Sequence, residues 1–208
     1  VTAANTGRRR RPGRPAGNSD TRDRILASAR ELFARNGIDR TSIRAVAAGA
    51  GVDAALVHHY FGTKQQLFAA AIRLPIDPMT VLVPMRETPV EELGLRLPSV
   101  LLPIWDSELG AGLIATLRGL ISGADLNLAR SFLQEIVVEE VGSRVDNPPG
   151  TGKIRALFVA SQLMGVVMAR YIVQVEPLAS LPAEQVAQTI APNLQRYLTG
   201  ELPDGLAP

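Results

Sequence analysis

The stretch Thr41 to Lys64, TSIRAVAAGAGVDAALVHHYFGTK, constrains the chain more than any other. One glycine, Gly51, separates two short runs with helical spacing. In the first run Ile43, Val46, Ala47 and Ala50 recur at i, i+3, i+4 and i+7, which is one face of a helix. The hydroxyl of Thr41 or Ser42 can cap its start by accepting a backbone N–H. Gly51 stands where a left-handed residue would end that helix, and glycine carries no Cβ penalty there. Asp53 can cap the second helix, with Val52 turned inward and Ala54, Ala55, His58 and His59 turned to solvent. Phe61 closes the unit. Thr63 followed by Gln66 has the capping-box pattern and starts a further helix. Two short helices joined by a tight glycine turn make a helix-turn-helix, whose second helix enters the major groove of DNA.

The segment VDAALVHHYFGTKQQLF resembles the recognition helix and following turn of the tetracycline-repressor (TetR) family of bacterial transcription regulators. The preceding ILASARELFARNGIDRTSIRAVAAGAGV resembles that family's first two helices. The match runs from about Thr21 to Ala71, and the rest of the chain is similar only in layout. The resemblance implies that Thr41, Arg44, Tyr60 and Lys64 meet the DNA backbone while Ala54 and Ala55 face base edges. At His58 the family more often has tyrosine, a departure that bears on base or phosphate contact. Phosphate contacts set position and base contacts set sequence. Ala54 and Ala55 can touch thymine methyls but make no bidentate hydrogen bonds, so Arg44 is the candidate for reading guanine. Thr41 or Ser42 can donate to phosphate. His58 and His59 either join these contacts or simply face solvent at the domain edge.

Charge supports the same polarity. Residues 1–64 hold 12 Lys/Arg against 5 Asp/Glu, whereas residues 65–208 hold 10 against 15. A basic end on an acidic body is the footprint of a chain that grips phosphates at one end. Residues 1–18 are polar and rich in Pro and Gly, without periodicity, and are expected to be disordered in isolation. Within them Arg8 to Arg11 and Pro12-Gly13-Arg14-Pro15 resemble a minor-groove arm, which makes Arg11 and Arg14 candidate DNA contacts. The favoured alternative is a solvated basic tail that adds non-specific attraction.

There is no cysteine, so disulfides and thiolate sites are excluded, and the two histidines are adjacent. No metal, cofactor or catalytic constellation is expected. Pro149-Gly150-Thr151-Gly152-Lys153 has the look of a phosphate loop but lacks the earlier glycine and the following Ser/Thr; it reads as a loop opening a helix. Glu135, Glu139 and Glu140 read as a solvated helix face with no nucleophile beside them. No signal peptide is expected, because the basic start is not followed by an apolar segment. The uncharged run Ala156 to Ala169 is shorter than the roughly 20 residues a bilayer requires.

Periodicity predicts an all-α chain. Helices are expected from Ser19 or Asp20 to Asn36, over Lys64–Arg73, and in short pieces near 90–97 and 99–105. Longer ones are expected over Gly112–Ser122, Ala124–Val145, Lys153–Glu176 and Pro182–Leu198. This divides the chain into a tail (1–18), a three-helix DNA-binding unit (19–63) and a larger helical effector and dimerisation domain (64–208). Lys64–Arg73, touching both units, is the expected lever between them. Leu101, Trp105, Leu113, Leu117 and Phe132, with Arg118 and Gln134 as isolated polar groups, suit either a packed core or the effector pocket the resemblance implies. Lys153–Glu176 is apolar on nearly every side and must be covered all round. Leu163, Val167 and Tyr171, with Leu194 on the last helix, are the expected homodimer contacts if a partner supplies part of that cover, in the four-helix interface the resemblance implies; the alternative is the central helix of a monomeric core.

The expected function is a cytoplasmic, nucleoid-associated repressor. It would bind a palindromic double-stranded operator as a homodimer and be released by an apolar or amphipathic small molecule. An effector-independent DNA-organising protein is the alternative.

Overall fold

The computed structural model describes residues 17–122, 126–203 and 205–206. The basic tail, with Arg11 and Arg14, lies outside them. Every regular element among the described residues is helical. Helix α1 (Gly17–Asn36) begins ahead of the expected cap, inside the segment expected to be disordered. Then come α2 (Ile43–Ala50), α3 (Ala54–Phe61) and α4 (Lys64–Ala71).

These four helices close over one core. Ile25, Ala29 and Phe33 from α1 meet Val46 and Ala47 from α2, Val57 and Phe61 from α3, and Leu67, Phe68 and Ala71 from α4. Phe33 packs edge-on against Phe68 with ring centroids 5.3 Å apart. Helix α4, expected to open the second unit, thus belongs to the first core. It stops at Ala71 rather than Arg73, because Arg73 adopts φ 58° and leaves the helical region. Arg30 Nε donates to the Ala71 carbonyl and satisfies that end.

The second unit holds α5 (Met79–Leu82), α6 (Leu93–Asp106), α7 (Gly110–Ser122), α8 (Leu126–Phe132), α9 (Glu139–Gly142), α10 (Gly152–Val167) and α11 (Ala183–Thr199). Two short helices expected around the prolines are instead one, since α6 runs through Pro98 and Pro103. Each proline removes a helical donor, yet the helix continues through both. Pro98, Leu97 and Leu102 are buried, and Gln195 of α11 accepts from Gly94 N (2.8 Å) while donating to Val90 O (3.1 Å). Wide π turns join α8 to α9 (Leu133–Val138) and extend α10 (Met168–Ile172).

With that extension α10 runs over 21 residues, Gly152–Ile172, long and apolar enough to cross a bilayer. The uncharged run is short because Lys153, Arg155 and Arg170 sit within the helix. Two of those cations are anchored inside the protein. Arg155 is 2 % exposed; its Nε donates to Thr151 Oγ1 (3.1 Å) and its Nη1 to the carbonyls of Tyr197 and Gly200. Arg170 donates to Leu178 O and Leu181 O and faces Asp106 at 3.4 Å. Tyr171 donates to Asp106 Oδ1 at 2.9 Å. Burial pushes its phenol up to about 12.

The acidic helix face is a set of tethers. Arg86 pairs with Glu140 and, mainly through that hydrogen bond, holds its carboxyl below the usual range. Lys153 lies 3.8 Å from Glu139. Asp146 Oδ1 accepts from Gly152 N at 2.7 Å, so the loop that looks like a phosphate loop carries a carboxylate at the start of α10.

Candidate nucleic-acid interface and apolar cavity

The helix-turn-helix forms as its local chemistry dictates. Ser42 caps α2, its side chain accepting from Ala45 N at 3.1 Å. Gly51 ends it at φ 64°, ψ 41°, the left-handed region that favours glycine. Asp53 caps α3 through Ala55 N at 2.7 Å. Thr63 and Gln66 complete the capping box of α4 at 3.0 and 3.1 Å. His58 Nδ1 lies 2.9 Å from Gly62 O, a contact in which the ring N–H donates and the carbonyl accepts.

Ser42, Arg44, Ala55, His58 and His59 are all exposed on this unit. Arg44 makes no hydrogen bond or ion pair among the described residues. Lys64 is half-buried, with Nζ 3.3 Å from Asp39 O. One expectation changes, and two further residues are half-buried. Thr41 is 2 % exposed, and its hydroxyl lies 2.7 Å from Gly37 O and 3.2 Å from Leu32 O, so it braces the turn and cannot reach a phosphate. Ala54 packs partly against the core, which leaves Ala55 as the small residue facing out. Tyr60 is likewise half-buried against that core. Arg22, not singled out in the sequence, lies over the Phe61 ring at 5.3 Å and adds an exposed cation beside α3.

Behind this unit lies a cavity of 220 Å³. Leu101, Trp105, Leu113, Leu117 and Phe132 line it together, joined by Ile72 and Leu74 from the exit of α4. Trp105 stacks on Tyr171 with centroids 5.5 Å apart. Arg118 and Gln134 are not part of the lining; both are exposed on the far sides of their helices. A polar wall group not singled out in the sequence is Thr116, at helical spacing from Leu113 and beside Leu117; its hydroxyl donates to Arg73 O at 2.8 Å.

The expected dimer contacts belong to the interior of one protomer. Leu163 and Val167 line the cavity. Tyr171 is held by Asp106. Leu194 is fully buried in the second core with Leu93 and Leu198. Helix α10 keeps its uncovered side elsewhere, along Leu157, Ser161 and Gly165.

A capped helix-turn-helix presented at one end of a helical body defines a protein of the DNA-binding regulatory class. Comparison with known proteins agrees. The family profile described as "Bacterial regulatory proteins, tetR family" matches residues 25–71, and that of the "Tetracyclin repressor-like, C-terminal domain" matches residues 91–198. The chain belongs to the TetR family. It is similar to an HTH-type transcriptional repressor of Mycobacterium tuberculosis (strain ATCC 25618 / H37Rv), 43% identical over 58 residues. That match spans 28% of this chain and 31% of the relative, so it covers about a third of the relative's length. Among solved structures it resembles a TetR-family regulator from Streptomyces coelicolor A3, at 31% identity and TM-score 0.45, over 90% of this chain and 99% of that one.

Proposed function

We propose that the protein is a cytoplasmic transcriptional repressor that holds a roughly palindromic duplex operator as a homodimer and releases it when an apolar small molecule fills the cavity. The observation that carries the reading is Arg44, exposed and uncommitted, beside the outward face of α3. Ser42, Ala55, His58, His59 and Lys64 complete the candidate DNA surface. A wall that is apolar apart from the Trp105 indole N–H and the Thr116 hydroxyl, the latter bonded to Arg73 O, suits an uncharged, largely apolar effector. The dimer surface we assign is the uncovered side of α10. Leu157, Ser161 and Gly165 fall at i, i+4 and i+8 there, and a Cβ on Gly165 would meet nothing within 4 Å.

The test is selection of duplexes from a random pool by the full chain, followed by salt titration. An inverted repeat should emerge, and log affinity should fall with log salt at about −0.9 per phosphate neutralised. A flat titration would refute DNA binding. A compound that releases the selected duplex should also change the fluorescence of Trp105, the one indole in the chain; release with no change there would move the effector site out of the cavity.

Arg44→Ala should cost roughly 1–3 kcal/mol on the selected duplex and relax one base position, because a bidentate guanine contact carries that discrimination. Lys64→Ala should weaken all duplexes alike, since phosphate carries no base identity. Quantitative competition against single-base variants of the duplex reads both. Uniform losses from Arg44→Ala would reassign Arg44 to the backbone.

A further inference from the structure

The sequence places Glu135 on a solvated helix face. In the structure it reaches instead to the DNA-reading unit. Its Oε2 accepts from the backbone N–H of Asp39 at 2.6 Å, across 96 residues of chain. Its other oxygen occupies the space above Gly37, where a Cβ would come within 2.5 Å of it. Gly37 adopts φ +80°, a backbone conformation that favours glycine. The Asp39 carbonyl accepts from Lys64 Nζ. Glu135 therefore grips the turn between α1 and α2, from which the chain passes through Ser42 to Arg44.

The same residue sits in the wall of the cavity's own helix. It belongs to the π turn Leu133–Val138, and its neighbours Phe132, Leu133 and Val137 line the cavity. π turns are weakly specified insertions in a helix and tend to mark functional sites. The π turn is the part of the cavity wall that carries the link to the DNA-reading unit, so an occupant of the cavity rests against it.

We infer that Glu135 is a positioning residue for DNA reading: it holds the α1–α2 turn against the π turn, and filling the cavity loosens that hold. The lever is thus this tether, together with α8 packed on α1 through Leu128, and not α4 alone. The inference rests on the proposed reading that α3 meets DNA and the cavity takes the effector.

The experiment uses the full chain, residue-resolved amide exchange at Asp39, a selected duplex, and N-phenyl-1-naphthylamine as a neutral apolar probe whose fluorescence reports uptake. Glu135→Ala should speed Asp39 exchange about five- to tenfold, the worth of one hydrogen bond. It should leave probe uptake unchanged and make duplex affinity insensitive to the probe. Glu135→Gln, which keeps an oxygen acceptor, should retain most of the protection. In the wild type, saturating probe should quicken Asp39 exchange as the duplex is released. Asp39 exchange that ignores Glu135→Ala, or an alanine variant that releases its duplex with the probe as the wild type does, would overturn the inference. Should that variant fail to fold, unchanged Asp39 protection in probe-saturated wild type overturns it equally. A wild type that selects no duplex refutes the proposed function instead, while Glu135 and Asp39 are still read without either ligand.

Discussion

Ser161→Arg should turn the protein into a monomer and lower its affinity for a palindromic duplex about 10²–10⁴-fold. That is the span by which two linked half-site contacts exceed one. Ser161 is exposed on α10, and its hydroxyl donates only to Phe158 O, one turn back in the same helix. Nothing in either core depends on it. Two-fold pairing presents the same surface twice, so each protomer would bring an unpaired guanidinium into the interface. Sedimentation equilibrium reads the assembly state, circular dichroism the fold, and a mobility shift the duplex affinity. Unchanged helical content and unfolding temperature are expected beside the loss of the dimer. A variant that stays dimeric would move the interface off this side of α10. Val167→Asp makes a poor test by comparison, because Val167 lines the cavity and a charge there attacks the core.

Arg155→Ala should destabilise the fold by about 3 kcal/mol or more. Hydrogen bonds from a charged donor contribute roughly 1.5–3 kcal/mol each. Without the guanidinium the Thr151 hydroxyl keeps its bond to Pro148 O, but the part-buried carbonyls of Tyr197 and Gly200 lose their donor. The two carbonyls lie at the end of α11, where the helix dipole also favours a cation. For a chain of this size the loss corresponds to roughly 6–12 °C in thermal midpoint. Thermal and urea melts of the apo protein check it. Arg155→Met keeps the stem and should lose less; equal losses from both would assign the role to the charge and not to packing.

The DNA-reading unit was legible because its signals are local. Ser42, Gly51, Asp53, Thr63 and Gln66 each act on backbone groups within a few residues, so their caps and turn survive any tertiary context. The cavity set was legible in part. Leu101, Trp105, Leu113, Leu117 and Phe132 share helical faces that must turn inward, and they do converge. Arg118 misled because an isolated cation in an apolar stretch has the composition of an anchor, while its angle around α7 points it outward. Thr116 was hidden for the converse reason: a threonine among leucines gives no sign of which side it takes.

Long-range geometry decided the remainder. Thr41 and Ser42 are equal as hydroxyls in sequence, but only the packing of α1 buries the first and leaves the second exposed. Pro98 and Pro103 break a helix by local rule, yet α11 lies along α6 and its Gln195 supplies bonds that hold the start of that helix. Leu163, Val167, Tyr171 and Leu194 are apolar on a helix that needs covering on every side, and composition cannot say which side faces its own protomer. Glu135 and Asp39 are far apart in the chain, and no spacing rule connects them. The sequence by itself determined the caps, the glycine turn and the all-helical class, because those depend on neighbours along the backbone. Burial, the cavity, the free side of α10 and the tether between the two units were decided by tertiary structure, because each depends on which helix faces come to lie against one another.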